Sequence, residues 1–136
     1  MEKAKESRAF QQAREHALNY ESLGFSVMPL GAIKKDAQGK KLIKFPPSWT
    51  LFQKERATSD QIKKWKCGNL GIVTGQISNL LVLDLDRYKD GYDYNLEKSL
   101  KLPVTPTSET AGGGAQVFFR LPEGLTIKND VCIGHQ

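Results

Sequence analysis

The run LLVLDLDR (80–87) constrains this chain more than any other stretch. Four apolar residues lead into two aspartates separated by one leucine, and the pattern reads as a β-strand. Burying one carboxylate is costly, and burying two close together is worse. Either the strand runs out into solvent at Asp84 with both side chains hydrated, or something positive sits between Asp84 and Asp86. In a strand, residues two apart point to one face, with Cα atoms about 6.5–7 Å apart. Two carboxylates so placed can converge on one divalent ion, or grip two about 3.5–4 Å apart. Hard oxygen ligands of this type suit Mg2+ or Mn2+. Taken alone, the hydrated strand end is the simpler reading. A separate metal reading makes Asp86 the first residue of a calcium loop that continues through Asp90 and Gly91 to Glu97, but Tyr88 is a poor ligand at the third position.

Turn-forming residues cut the rest of the chain into short pieces. Phe10, Ala13, Ala17 and Tyr20 recur at spacings of three and four, one face of an amphipathic helix. Gly24 can supply the left-handed residue that ends it. FSVMPL (25–30) is a short strand, and GAIKKDAQGKK (31–41) a loop or the tip of an irregular hairpin. The paired prolines of KFPPSW (44–49) exclude helix interior and central strand. Thr58 and Gln61 have capping-box spacing ahead of Ile62 and Trp65, which predicts a short helix over 59–66. Strands are expected at NLGIVTG (69–75), LLVLDLD (80–86) and AQVFFRL (115–121), with another starting at NDVCIG (129–134). YNLEKSLK (94–101) is a short helix, and PVTPTSETAGGG (103–114) is extended and glycine-rich. The strands at 69–75 and 80–86, joined by a short turn, are expected to be antiparallel neighbours. Without strict βαβ alternation, the fold class is α+β, with a mixed or antiparallel central sheet and flanking helices. A chain of 136 residues is room for one domain.

Charge is distributed unevenly. The net charge is +5, and ten basic residues from Lys34 to Lys66 fall in one continuous third of the chain. That cluster is either a solvated face or a surface for phosphates, and charge alone does not separate the two. Cys67 and Cys132 form no CxxC pair, which points to reduced thiols rather than zinc or a disulfide framework. His16 and His135 have no metal-ligand spacing. No apolar run approaches the length needed to span a bilayer, and the polar, acid-containing N-terminus fits no signal or transit peptide, so a cytoplasmic protein is expected.

Two further segments can carry chemistry. In TSETAGGGAQVFF (107–119), three glycines precede a strand; they permit either an anion-binding concavity of exposed amides or a plain hairpin connection. No GK[ST] follows, so this is not a Walker A loop. Thr74 and Gly75 end the strand before the aspartates, and in isolation mark only a tight turn.

In their order and spacing, these segments resemble the bifunctional primase/polymerase N-terminal domains of the archaeo-eukaryotic primase superfamily. The resemblance runs from Ala17-Leu18, Tyr20, Gly24-Phe25, Val27 and Pro29-Leu30 through Lys44, Pro46 and Trp49 to Thr58, Gln61, Ile62 and Trp65. It continues with Asn69, Gly71-Ile72, Thr74-Gly75, Ser78 and Val82–Asp86, then Pro106-Thr107, Thr110, Gly113-Gly114 and Phe118-Phe119. It implies a primase-polymerase fold with an RRM-like core and a nucleotidyl transferase that copies template DNA from nucleoside triphosphates. Such an enzyme would serve replication of a bacterial, phage or plasmid replicon, with a fused or associated helicase as a further partner and no membrane.

By the same resemblance, Asp84 and Asp86 are catalytic and bind Mg2+ or Mn2+. Lys44, Thr74, Gly75, Thr110, Gly113, Gly114 and Gln116 are implied to contact the nucleotide. Lys34, Lys35, Lys40, Lys41, Lys63 and Lys64 are implied to contact nucleic acid. Two departures stand out. Gln116 occupies the position where the family usually carries a histidine against the triphosphate, and glutamine can donate a hydrogen bond but carries no charge. The family's third carboxylate is expected in a strand just past Gln136, so the chain is expected to be C-terminally truncated and weakly active or inactive. The alternative is a nucleic-acid-binding module that kept the fold and basic surface without the chemistry.

Overall fold

A computed structural model describes residues 6–128. Its contacts divide the chain into two compact units, one ending at Ser78 and the other beginning at Asn79.

The first unit opens with helix α1 (Arg8–Ser22), which buries Ala13 and Ala17 as the three-and-four spacing predicts. Gly24 follows at φ 91°, a left-handed conformation that suits glycine. Strand β1 (Ser26–Leu30) comes next, then a small hairpin of β2 (Lys34–Lys35) and β3 (Lys41–Leu42), and a single 3-10 turn at Leu51–Gln53. Helix α2 (Ser59–Ile62) starts with the predicted capping box: Gln61 N–H donates to Thr58 Oγ1 at 3.2 Å, and Thr58 N–H to Gln61 Oε1 at 2.9 Å. Strand β4 (Asn69–Val73) pairs antiparallel with β1, from Ser26 opposite Val73 to Leu30 opposite Asn69.

Ala17, Val27, Met28, Leu30, Phe52, Ala57 and Ile62 form the core of this unit. Burying each of the larger side chains contributes roughly 1.5–3 kcal/mol. Two serines are also buried there. Ser78 Oγ donates to the Val73 carbonyl and accepts the Ser26 N–H, while Ser26 Oγ donates to the Phe52 carbonyl. Both buried hydroxyls thus have a partner, which offsets their desolvation.

The second unit contains β5 (Leu80–Leu85), α3 (Tyr94–Ser99), β6 (Thr107–Glu109) and β7 (Ala115–Arg120). Its sheet has the order β5-β7-β6, antiparallel throughout. Leu85, Ala115 and Val117 form its core, with Leu83, Tyr92, Leu102 and Phe119 packed against them. Helix α3 is capped by Asp93, whose Oδ1 accepts the Leu96 N–H at 2.8 Å.

The α+β class holds, with sheets that are small and antiparallel among the described residues. The expected pairing of 69–75 with 80–86 does not: the ladder partner of β4 is β1, and that of β5 is β7. The ladders that do form match five residue pairs for β4 on β1 and six for β5 on β7. Strand β6 lies within the segment expected only to be extended. The strand start expected at 129–134 lies outside the described residues, as do Cys132 and His135. Cys67 is a buried free cysteine whose thiol pKa is pushed up by burial. No helix among the described residues is long and apolar enough to cross a membrane.

Candidate functional site

The register of β5 on β7 answers how the chain carries carboxylates in its most apolar strand. Leu83 and Leu85 belong to the core cluster, and Asp84 between them is exposed. Alternation alone therefore sends the charge to the other face. Asp86 is the first residue beyond β5. It begins a turn in which Lys89 N–H donates to its carbonyl at 3.0 Å, and its Oδ2 pairs with Lys89 Nζ at 2.9 Å. The positive charge beside Asp86 is thus one the chain itself supplies.

Asp84 is directly paired with Gln116, and Gln116 in turn with Ser108 of β6. Residues opposite one another in an antiparallel ladder share a face, with Cβ atoms about 4.5–5.5 Å apart. A polar row of Asp84, Gln116 and Ser108 therefore crosses all three strands.

The glycine-rich turn closes the end of this sheet beside the aspartates. Thr110 N–H donates to the Gly114 carbonyl, Gly113 N–H to the Thr110 carbonyl, and Gly114 N–H to Thr110 Oγ1, each at 3.0 Å. The amides of Gly113 and Gly114 are consequently used inside the hairpin. Gly113 has φ 95°, and a Cβ on Gly114 would lie 2.7 Å from the Leu85 carbonyl oxygen. Only glycine lets the turn approach the strand so closely. The Tyr88 ring lies against the same turn, 3.5 Å from the position a Gly114 Cβ would take.

Behind Asp86, Arg87 Nε donates to Glu97 Oε1 at 2.7 Å and Arg87 Nη2 to Glu97 Oε2 at 3.2 Å. Tyr92 Oη donates to the same carboxylate at 2.8 Å. The Arg87 hydrogen bond holds the Glu97 pKa below the ordinary carboxylate value. Burial, reinforced by the bond to Glu97, pushes the Tyr92 phenol up to about 12. This network ties the loop after β5 to α3. It also speaks against the calcium-loop reading, since the Glu97 carboxylate is already held by Arg87 and Tyr92.

Of the residues singled out from sequence, Asp84, Asp86, Thr110, Gly113, Gly114 and Gln116 come together in the second unit. Lys44, Thr74, Gly75 and the lysines at 34, 35, 40, 41, 63 and 64 all belong to the first. There, Gly75 has φ 94° and Thr74 is exposed at the end of β4. Lys44 packs its stem over Gly31, whose N–H donates to the Lys44 carbonyl at 3.0 Å. A cleft of about 210 Å3, lined by residues including Phe52, Arg56 and Trp65, contains none of the expected site residues. Sequence reasoning missed Ser108, Tyr88 and the Arg87–Glu97 pair. Period-two alternation in 107–109 and 115–120 could have exposed Ser108, whereas nothing local marks Tyr88.

A family model, the N-terminal domain of bifunctional DNA primase/polymerase, matches residues 17–135. The chain belongs to this family. No curated protein and no solved structure matches it significantly. Prim-pol domains generally act with divalent metals. The donor chemistry here suits such an ion: two aspartates, one exposed and one part-exposed, two residues apart at a strand end. Among the described residues no group of three or more His, Cys, Asp or Glu forms a potential metal site. The Asp86–Lys89 pair is no obstacle, because both side chains are substantially exposed and such pairs are weak.

Proposed function

We propose that the polar face of the β5–β7 ladder is the nucleotidyl-transfer site of a DNA primase/polymerase, acting within a single prim-pol domain in replication of a bacterial, phage or plasmid replicon. The observation that carries this reading is the pairing of Asp84 with Gln116 beside Asp86, in a chain of this family. In the reaction, a primer 3′-hydroxyl or an initiating nucleotide's hydroxyl gives up its proton to solvent and attacks the α-phosphate of an incoming nucleoside triphosphate. The bond to the β-phosphate breaks, and pyrophosphate leaves.

Asp84 and Asp86 are the residues that would hold Mg2+ or Mn2+. When bound, such an ion lowers the pKa of the attacking hydroxyl and stabilises charge on the leaving oxygens. Gln116, opposite Asp84, donates an amide hydrogen bond toward a phosphate oxygen without adding charge. Thr110, Gly113 and Gly114 frame the nucleotide site by fixing the turn against Leu85. In the first unit, we assign Lys34, Lys35, Lys40, Lys41, Lys63 and Lys64 to contacts with nucleic-acid phosphates.

The test is template-dependent incorporation of nucleotides with Mg2+ or Mn2+. Asp84→Ala and Asp86→Ala should each lower incorporation by about 100-fold or more, in keeping with loss of a charge-stabilising group, while leaving the fold intact by circular dichroism. Full activity in Asp84→Ala would sink the assignment. The neutral Gln116 is what favours a second reading, a nucleic-acid-binding module without chemistry. That reading predicts salt-sensitive binding with no metal dependence and no affinity for nucleotides.

A further inference from the structure

The stretch from Leu42 to Leu51 exposes more large apolar surface than the rest of the first unit. Phe45 is 49% and Trp49 44% exposed, beside exposed Leu42, Ile43 and Leu51. The two aromatic rings lie side by side in a tilted arrangement, with centroids 6.2 Å apart and planes inclined at 48°. Their backbone is stiff. Pro46 and Pro47 fix φ at consecutive positions, and Trp49 N–H donates to the Pro46 carbonyl at 3.0 Å, closing a turn between the rings. A rigid aromatic pair loses little entropy when it binds.

The charge along this stretch is mostly positive. Residues 37–54 contain Lys40, Lys41, Lys44 and Lys54, with Glu55 the first acid to follow. Just before them, Asp36 turns its Oδ1 inward, accepting the amides of Gln38 and Lys40 at 2.9 and 2.8 Å. A protein partner fits this surface poorly, since the centre of a protein interface is depleted of lysine. A membrane surface fits poorly as well, because no amphipathic helix presents these side chains. Aromatic faces among lysines match the chemistry of a single strand, whose bases stack while its phosphates meet cations.

We propose that Phe45 and Trp49 form a base-stacking platform for single-stranded nucleic acid, with Lys40, Lys41 and Lys44 contacting its phosphates. The ligand class rests on the primase/polymerase reading, for which the single strand is the unpaired template; the platform itself needs neither metal nor nucleotide.

The experiment is fluorescence anisotropy of a labelled oligo-dT with the full chain, in the absence of metal and nucleoside triphosphates, over a salt series. Trp49→Ala and Phe45→Ala should each weaken binding about tenfold with the salt slope unchanged. Trp49→Phe should recover most of the loss. Lys40→Ala and Lys41→Ala should each reduce the salt slope by about one. Melting temperatures within a few degrees of the parent would show that these exposed substitutions leave the fold alone. Wild-type binding by both aromatic variants overturns the proposal, as does binding to phosphatidylserine vesicles but not to oligo-dT. If oligo-dT binds as expected but Asp84→Ala leaves incorporation unchanged, the catalytic reading fails and the platform stands.

Discussion

The hairpin joining β2 to β3 and the hairpin joining β6 to β7 use the same local device and differ in what surrounds it. In the first, Asp36 Oδ1 accepts two backbone amides; in the second, Thr110 Oγ1 accepts the Gly114 N–H. Each turn is stapled by the polar residue at its start. A Cβ added at Gly39 meets nothing within 4 Å, however, whereas one at Gly114 would press on the Leu85 carbonyl at 2.7 Å. The first hairpin answers only to itself, and the second also answers to the strand that carries the aspartates. Glycine is replaceable where its backbone meets solvent, and much less so where another backbone touches it. Gly114→Ala should therefore have the largest effect, destabilising the protein by about 2–3 kcal/mol through overpacking and abolishing incorporation. Gly39→Ala should cost only about 1 kcal/mol, from its left-handed φ of 81°. Thermal melts of the two variants measure the difference, and equal shifts would break the comparison.

Removing the staples sharpens the same contrast. Thr110→Ala leaves the buried Gly114 amide without its partner, at a cost of about 1–2 kcal/mol, and Thr110→Ser should restore most of it. Asp36→Ala releases amides that water can reach, so its cost should stay under about 1 kcal/mol. Urea melts of the three variants test this order. A larger loss in Asp36→Ala than in Thr110→Ala would mean that exposure does not set the cost.

Much of this contrast was legible in the chain itself, and the unread part has a physical reason. The Thr58–Gln61 capping box, the Ala13–Ala17 stripe and the strand around Asp84 are encoded within a few residues, and each appears where expected. Membership of the primase/polymerase family was legible too, through the order of many weak motifs. The partners of β4 and β5 were not, because register depends on segments such as 115–120 that lie far along the chain. The same limit hid Gln116 opposite Asp84 and Ser108 opposite Gln116, although each residue was visible alone. Tyr88 against the glycine turn and Arg87 on Glu97 are tertiary contacts without a periodic signal. The triple glycine left exposed amides and a plain hairpin connection both open, and Gly113 and Gly114 use their amides inside the hairpin.

Acid and base should act on the second hairpin's unit through Glu97 and Tyr92. The Glu97 pKa is lowered by Arg87, so this carboxylate favours the folded state at pH values above its ordinary 4.5. That contribution is lost as the pH falls through the lower folded value. The Tyr92 phenol is raised from 10 to about 12, so its contribution is present below 10 and fades as the pH climbs toward 12. Glu97→Gln should flatten the acid limb of a melting-temperature profile, and Tyr92→Phe the alkaline limb. An unchanged acid limb in Glu97→Gln would place the acid sensitivity elsewhere in the chain.

The smallest expected effect falls on the Asp86–Lys89 pair. Its side chains are 43% and 60% exposed, so breaking it should change stability by less than about 0.5 kcal/mol. Its consequence for metal should be easier to see. Lys89 Nζ sits 2.9 Å from an Asp86 oxygen, and a divalent ion at Asp86 would compete for that oxygen. Lys89→Ala should therefore tighten Mn2+ binding by about twofold, the equivalent of one weak surface pair, as read by calorimetry. Lys89→Arg should keep the parental affinity. Unchanged binding in Lys89→Ala would mean that Lys89 does not compete for the Asp86 oxygen, and weaker binding would mean that Lys89 orients the carboxylate toward the ion rather than away from it.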